Sequence, residues 1–571
     1  MRFRVASGKL RLISSVAALA AAFTAALPMN AASAPARARQ GMVVTQDEIG
    51  SKVGFEVIRA GGNAIDAAVA TAFALAVTHP TAGNIGGGGF IVYRRADGET
   101  AAYDFREKAP AAASPTMWLK DGKYDAELHH FSHRAVGVPG TVAGLHLAWK
   151  DHGSRPWKEL LQPAIRLARE GFEVSHGLAR SLETMIPHFR KYPASLAQFS
   201  KAGAPYAPGE ILRQPDLARS LERIADHGPA GFYEGETARL IAQEMAANDG
   251  LITLDDLKAY TAKRRTPLTG TYRGYGVVAM PPPSSGGIAV IQILNTLEGY
   301  DLAAAGPGSA RNAHLISEAM RRAFADRARH VGDPDFNPDL PVARLISKEH
   351  AAALRRTINP ARASRSSPES FEWPYESQET THFSVVDAQR NAVALTYTLE
   401  YGYGSRIVVP GAGFLLNNEM GDFNAAPGLT DDKGLIGTTP NLAQPGKRML
   451  SSMSPTLLTK DGQLFMVTGA MGGRTIINTV VNTIVNVVDH GMNAQEAVDA
   501  PRLHHQWLPD RIQVERNVFS PDSLAMLRTM GHTILEVNSQ GVAEVIVLNA
   551  KEGLLEGGVD RRVPDGFAAG R

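Results

Sequence analysis

A threonine can act as a nucleophile without a neighbouring histidine if it is the first residue of a chain, because its own α-amine then serves as the base. That amine has a pKa of about 7.7–8.0, close to working pH. Such a residue has to stand at the start of a β-strand, behind a segment that can be cut away. Residues 358–379 followed by Thr380-Thr381 meet both conditions. The segment carries Asn359-Pro360, repeated Ser and Arg, Pro368 and Pro374, and ends Glu376-Ser377-Gln378-Glu379. By composition it is exposed and poorly ordered. After it, 381–386 and 392–399 read as β-rich runs joined by a polar turn at 387–391. Loop, threonine and strand is also a common structural arrangement, and spacing leaves both Thr380 and Thr381 open as the nucleophile.

Other chemistries find less support. The chain has no cysteine, which excludes thiol catalysis, iron–sulfur clusters, Cys-based zinc sites and disulfides. It has no G-x-S-x-G elbow, and Ser284-Ser285-Gly286-Gly287 reads as a turn before a helix. Gly86 to Gly89 follow a helix and lead into a strand, the reverse of a phosphate loop, so close backbone packing is expected there and nucleotide binding is not. The pairs His129-His130 and His504-His505 are adjacent, so their side chains diverge, and no H-E-x-x-H occurs. No metal or cofactor is expected.

Positioning a strand-start threonine takes a layered frame. Residues 49–60 read as a helix stopped by Gly61-Gly62, and Asn63 caps a second one from Ala64 to about Val77. That second helix is apolar all round and therefore buried, against a sheet. A hairpin follows, 90–94 and 100–105 around Ala96-Asp97-Gly98, then a mainly helical region from about 140 to 265. Later strands are expected at 276–280, 413–416, 456–459, 465–468, 542–548 and 554–558. Helices are expected at 288–297, 310–329, 476–490 and 521–530. Intermixed hairpins and helices argue for α+β layers, helices covering β-sheets, and against an all-parallel sheet.

The 571 residues, 44% hydrophobic and 20% charged, are ordinarily globular and too many for one small core. Arg2, Arg4, Lys9 and Arg11 precede an uncharged apolar run from Leu12 to about Leu27, and Ala32-Ser33-Ala34 offers a cleavage signal. This is the layout of a secretory signal peptide over 1–34, so the mature protein is expected to be periplasmic or secreted and off the membrane. Its removal takes four of the 59 basic residues and none of the 57 acidic ones, so the formal charge falls from +2 to −2. Nothing in that balance suits nucleic acid.

Glu379-Thr380-Thr381-His382-Phe383-Ser384-Val385-Val386-Asp387 resembles the processing-site motif of the gamma-glutamyltransferases, which are N-terminal-nucleophile hydrolases. So do Asp104-Phe105-Arg106-Glu107, Thr396-Tyr397-Thr398, Leu415-Leu416-Asn417-Asn418-Glu419-Met420-Gly421-Asp422-Phe423, Ser451-Ser452-Met453-Ser454-Pro455 and Thr468-Gly469 with Gly472-Gly473. The matches run in family order from about residue 40 to the C-terminus. The resemblance implies a four-layer αββα sandwich from one precursor that cuts itself between Glu379 and Thr380. It also implies a heterodimer of a large subunit, 35–379, and a small one, 380–571.

By the same resemblance Thr380 is the nucleophile, Thr398 orients it, and the N–H groups of Gly472 and Gly473 form the oxyanion hole. Arg106 with Ser451 and Ser452 would hold the α-carboxylate of a γ-glutamyl group, and Asp422, Glu419 and Glu400 its α-ammonium. Substrates would be glutathione and other γ-glutamyl compounds, with water, amino acids or peptides as acceptors. The chain departs from the commonest pattern at Glu400 (often Asn), Glu419 (sometimes Gln), Ala470-Met471 (usually Ser-Pro) and Met449 (commonly Pro). Segment 427–446 stands in the place of the family's substrate lid. A glutaryl-cleaving cephalosporin acylase of the same fold is the close alternative, and an uncleaved binding protein the distant one.

Overall fold

Alternation along the strands sets the layers. In the strand Met42–Thr45, Val43 joins one hydrophobic core while Met42 and Val44 join the other, and in Gly88–Arg94, Ile91 and Tyr93 divide from Phe90 and Val92 in the same way. A strand with both faces apolar is covered on both sides. One face meets helices and the opposite face meets a second sheet.

The computed structural model describes residues 33–367, 380–429, 437–516 and 519–571. Most of the expected signal segment, Glu379 with the eleven residues before it, and the middle of segment 427–446 lie outside the described residues. Pro35–Arg571 forms one compact unit. Among the described residues it contains two seven-stranded sheets whose strand pairs are all antiparallel. The first runs in the order Phe567–Gly570, Met42–Thr45, Thr381–Val386, Ala392–Thr398, Gly88–Arg94, Thr100–Asp104, Lys263–Arg265. The second runs Ala36–Ala38, Leu554–Val559, Val542–Asn549, Gln463–Met471, Thr456–Lys460, Tyr275–Ala279, Leu268–Tyr272. The sheets pack face to face through Thr381–Val386, Ala392–Thr398 and Gln463–Met471.

Helices Glu48–Arg59, Ala64–Thr78 and Thr141–His152 cover the first sheet, and Gly286–Leu297 and Thr475–Val488 cover the second. The αββα expectation is met. Every residue of Ala64–Thr78 is buried, and Asn63 starts it with a capping box: its Oδ1 accepts from the N–H groups of Ile65 and Asp66, and Asp66 accepts from Asn63 N–H (2.9 Å). The expected strand at 413–416 is not formed. Gly411 and Gly413 lie at φ +76° and +74°, which turns the chain, and Leu415 makes only an isolated bridge to Val408. Among the described residues no helix is long and apolar enough to cross a membrane.

Candidate active site

Thr380 immediately precedes the strand Thr381–Val386, third of seven in its sheet. Thr381 pairs with Tyr397 in the neighbouring strand, and the same register continued by one residue sets Thr380 opposite Thr398. Thr398 Oγ1 accepts from the N–H of Glu400 (2.9 Å), and Asn84 Nδ2 donates to the Thr398 carbonyl (2.9 Å). The glycine run makes this approach possible: a Cβ on Gly87 would overlap the Thr398 carbonyl oxygen, and one on Gly86 the Leu415 carbonyl oxygen. Close backbone packing was the expectation for these glycines.

One cavity gathers Thr380, Thr398, Glu400, Gly473, Arg106, Glu419, Asp422, Ser451 and Ser452, with Met453 and Ile476. Nine of the ten residues singled out by the sequence therefore share one wall. Gly472 stands next to them but does not line it, and neither does Thr381, which is fully buried. The free space is only about 20 Å³, room for about one water molecule.

Ion pairing accounts for that tightness. Arg106 is fully buried and donates through Nη1 to Glu419 and through Nη2 to Asp422, with further bonds from Nε to the Met449 carbonyl (3.3 Å) and from Nη2 to that of Leu450 (3.0 Å). The expected carboxylate fork is thus paired with two of the expected ammonium acceptors. Burial alone would lower the Arg106 pKa, but Glu419, Asp422 and Glu107 outweigh it and hold the guanidinium above its ordinary value. Burial pushes Glu419 well up and Glu107 up to about 8, the nearby Arg106 only partly opposing it. Both Glu107 oxygens lack a hydrogen-bond partner among the described residues. Such a cluster carries less charge than its formula suggests.

The Leu415 to Phe423 motif positions the acids. Asn417 Oδ1 accepts from the N–H groups of Gly137 (2.9 Å) and Glu419 (3.0 Å), and Asn418 Nδ2 donates to the His130 carbonyl (2.9 Å). These bonds hold the 3₁₀ turn Glu419–Asp422. Asn441 ties that turn to the serine loop, donating to the Asp422 carbonyl (2.7 Å) and accepting from Leu450 N–H (2.8 Å). Sequence reasoning missed Arg327, which donates from Nε to Ser285 Oγ (2.7 Å) and from Nη2 to Ser452 Oγ (3.0 Å). Its only trace in the sequence is its place in the helix expected at 310–329. Met449, one of the departures from pattern, packs with Trp118, Met420 and Phe423 in a small core beside the cavity.

Gly472 (φ +127°) and Gly473 (φ +55°) form the junction between the strand Gln463–Met471 and the helix Thr475–Val488. Backbone N–H groups at such a junction can serve an anion. No histidine is among the residues lining the cavity. His382, two residues after Thr380, lies by Thr396 Oγ1 (2.8 Å) and Ser384 Oγ (3.2 Å), and burial lowers it to about 3. His130 pairs with Glu400 (3.2 Å) and is lowered to about 4 by burial. Away from the site, His314, Glu318 and His532 bring ligand atoms within 4.8 Å of one another. They are already committed: His314 Nδ1 and His532 Nε2 are 2.8 Å apart, and Glu318 accepts from Arg322 (2.7 Å) and Ser364 (2.5 Å).

A family model described as gamma-glutamyltranspeptidase matches residues 50–570. The glutathione hydrolase proenzyme of Escherichia coli (strain K12) is 47% identical over 543 residues, 94% of this chain and 93% of that one. Among solved structures, cephalosporin acylase from Bacillus halodurans is similar with a TM-score of 0.84 at 29% identity, covering 96% of this chain and 98% of its own. The gamma-glutamyltranspeptidase of Helicobacter pylori is similar with a TM-score of 0.55 at 46% identity, covering 56% of this chain and 91% of its own.

Proposed function

Since the chain belongs to the gamma-glutamyltranspeptidase family, we propose that Thr380 is the residue through which it carries out γ-glutamyl transfer and hydrolysis. The chain is an acyltransferase and amidohydrolase, made as a proenzyme, that acts on glutathione and related γ-glutamyl compounds. Cleavage of the Glu379–Thr380 bond separates 35–379 from 380–571, which stay together as a heterodimer, and frees the Thr380 α-amine. The signal segment directs the precursor out of the cytoplasm, to the periplasm or beyond.

The amine takes the Thr380 hydroxyl proton as Oγ attacks the γ-amide carbonyl. Negative charge on the carbonyl oxygen is met by the N–H groups of Gly472 and Gly473; in other enzymes one such donor is worth about 2.7–4 kcal/mol. Collapse of the tetrahedral intermediate breaks the C–N bond, the proton leaves with the amine product, and a γ-glutamyl ester remains on Thr380. Water or an acceptor amine then attacks the ester and returns the proton to Oγ. Thr398, anchored by Glu400 N–H, orients the nucleophile. Arg106, Ser451 and Ser452 hold the α-carboxylate, and Asp422, Glu419 and Glu400 the α-ammonium. The zwitterion would enter between Arg106 and the acids, replacing their internal pairs with one pair at each end.

The observation that carries this reading is the shared cavity of Thr380, Gly473, Arg106 and three carboxylates. The likeness to a cephalosporin acylase supports a second reading, cleavage of glutaryl amides. A glutaryl group has no α-ammonium and would leave the acids without a partner. Rates on γ-glutamyl and glutaryl anilides decide between them: γ-glutamyl cleavage is expected to be faster, and the reverse order would sink the first reading. Thr380→Ala is expected to run as one full-length band on a denaturing gel and to release no anilide. Edman sequencing of the small fragment should begin Thr-Thr-His-Phe.

A further inference from the structure

His130 does not line the cavity of Thr380, yet it reaches that cavity through Glu400. It ends the helix Ala126–His130, and its Nδ1 lies 3.2 Å from Glu400 Oε1. Both side chains are buried, and they meet over Gly421 in the turn that bears Glu419 and Asp422. A Cβ at Gly421 would overlap His130 Nδ1 and both Glu400 oxygens. The contacts continue inward from the imidazole. Its Nε2 is 3.4 Å from Tyr124 Oη, which is 3.1 Å from His129 Nδ1, and His129 Nε2 is 3.2 Å from the Met420 carbonyl oxygen. Four side chains thus form one file from the cavity wall to a backbone acceptor.

The inner end of the file fixes its protons in turn. A carbonyl only accepts, so His129 carries a hydrogen on Nε2. Burial and the adjacent His130 hold His129 well below its ordinary value, so it is neutral and its Nδ1 is an acceptor. Tyr124, raised by burial, Glu400 and Asp125, keeps its proton and donates it to that Nδ1. The phenol oxygen then offers a lone pair to His130 Nε2, which must bear a hydrogen. A neutral His130 of that tautomer turns a bare Nδ1 toward Glu400, and a carboxylate there would set lone pair against lone pair. One proton must therefore lie between Glu400 and His130. Asp422 favours it on His130, but burial opposes a charge there and lowers His130 to about 4. Glu107 and Glu419 oppose a further anion at Glu400, and Arg106 is already paired with Glu419 and Asp422. Before substrate binds, the proton belongs on Glu400.

We propose that His130 is a positioning residue for the α-ammonium of γ-glutamyl substrates, accepting the Glu400 proton on Nδ1 as the ammonium arrives so that Glu400 meets it as a carboxylate. The inference rests on the ammonium site proposed above. The transfer breaks the Glu400 Oε1–H bond and makes the His130 Nδ1–H bond. The proton never leaves the pair, and Glu400 ends between two cations. A glutaryl group brings no cation and leaves the proton on Glu400. An Asn at position 400 would have no proton to pass on.

Glutamate and glutarate, which differ in the ammonium, test this as competitive inhibitors of γ-glutamyl-p-nitroanilide release between about pH 5.5 and 7.5. The wild type binds glutamate without releasing the shared proton, whereas His130→Gln has no site for it and must release it to solvent. The glutamate Ki of the variant should therefore fall about tenfold more per rising pH unit than that of the wild type, with no such difference for glutarate. A histidine that only supported the wall would weaken both inhibitors and leave the pH slopes parallel. Because His130 is buried, the wild type is also read directly. Infrared difference spectra should lose a protonated-carboxyl C=O band when glutamate binds, keep it with glutarate, and show no such loss in Glu400→Gln. Equal glutamate slopes in wild type and His130→Gln, or a carboxyl band that glutamate leaves in place or glutarate also removes, overturns the proposal. Failure of glutamate to compete at all would instead overturn the γ-glutamyl reading on which it rests.

Discussion

Glu400 lies at φ +80°, a conformation that costs a non-glycine side chain about 1 kcal/mol or more and that Asn adopts more readily. Glu400→Asn should therefore raise the unfolding free energy by about 0.5–1 kcal/mol in denaturant titrations. In the same variant the margin of γ-glutamyl over glutaryl anilide should narrow, because one of the carboxylates proposed to meet the ammonium is gone. Arg106 behaves oppositely. Arg106→Met leaves the buried Glu419 and Asp422 without their cation, and loss of about 3–5 kcal/mol of stability is expected by the same measurement. Arg106→Lys keeps the charge but not the fork, and kcat/KM for γ-glutamyl anilide should fall about 10–100-fold. Glu107 gives a pH signature. Its carboxyl ordinarily titrates near 4.5 and is pushed up to about 8 by burial, so the folded state holds the proton more tightly than the unfolded one. Its contribution is complete below about 4.5 and is lost as pH rises through 8. Glu107→Gln should flatten the fall in Tm between those values.

The strand pairing around Thr380 depends on residues that do no chemistry. A Cβ on Gly87 would overlap the Thr398 carbonyl and crowd Asn84, so Gly87→Ala should separate Thr398 from the strand that follows Thr380. The expected result is a loss of stability above about 2 kcal/mol and incomplete processing on a denaturing gel. These elements were largely legible in the sequence, since period-2 runs and a capped apolar helix declare themselves locally. The helix ends differ from expectation by about two residues or fewer at Glu48–Arg59, Ala64–Thr78 and Thr475–Val488. The strand expected at 413–416 failed because alternation there is overridden by two left-handed glycines. The pairing of Arg106 with Glu419 and Asp422 was not legible, because it joins residues more than 300 positions apart and depends on burial. Nor was Arg327, whose bonds to Ser285 and Ser452 distinguish it from the other arginines of its helix only once the chain has folded. Family motifs supplied the remaining site residues, and local physics alone did not choose between Thr380 and Thr381.

At the scale of the molecule, the proposed fragments are interleaved. In the first sheet, Met42–Thr45 of the large fragment lies between Phe567–Gly570 and Thr381–Val386 of the small one, and Ala392–Thr398 pairs with Gly88–Arg94. In the second, Thr456–Lys460 pairs with Tyr275–Ala279, and Leu554–Val559 with Ala36–Ala38. Among the described residues, five strand pairs thus cross from one fragment to the other. Size-exclusion chromatography of processed protein should give one peak containing both fragments even after dilution, and separation should require denaturant.

That interleaving makes the order of events irreversible in practice. The precursor folds as a first-order process whose rate is independent of concentration. Once Glu379–Thr380 is cut, regaining the same structure from denatured fragments is a second-order encounter in which neither partner has a complete sheet to offer. Unfolded precursor such as Thr380→Ala should refold with a concentration-independent half-time, whereas mature protein should recover slowly, in proportion to dilution, and with aggregation at exposed strand edges. Enzyme cut as proposed is then expected to be kinetically rather than thermodynamically durable, with a working lifetime set by the rate at which it first unfolds.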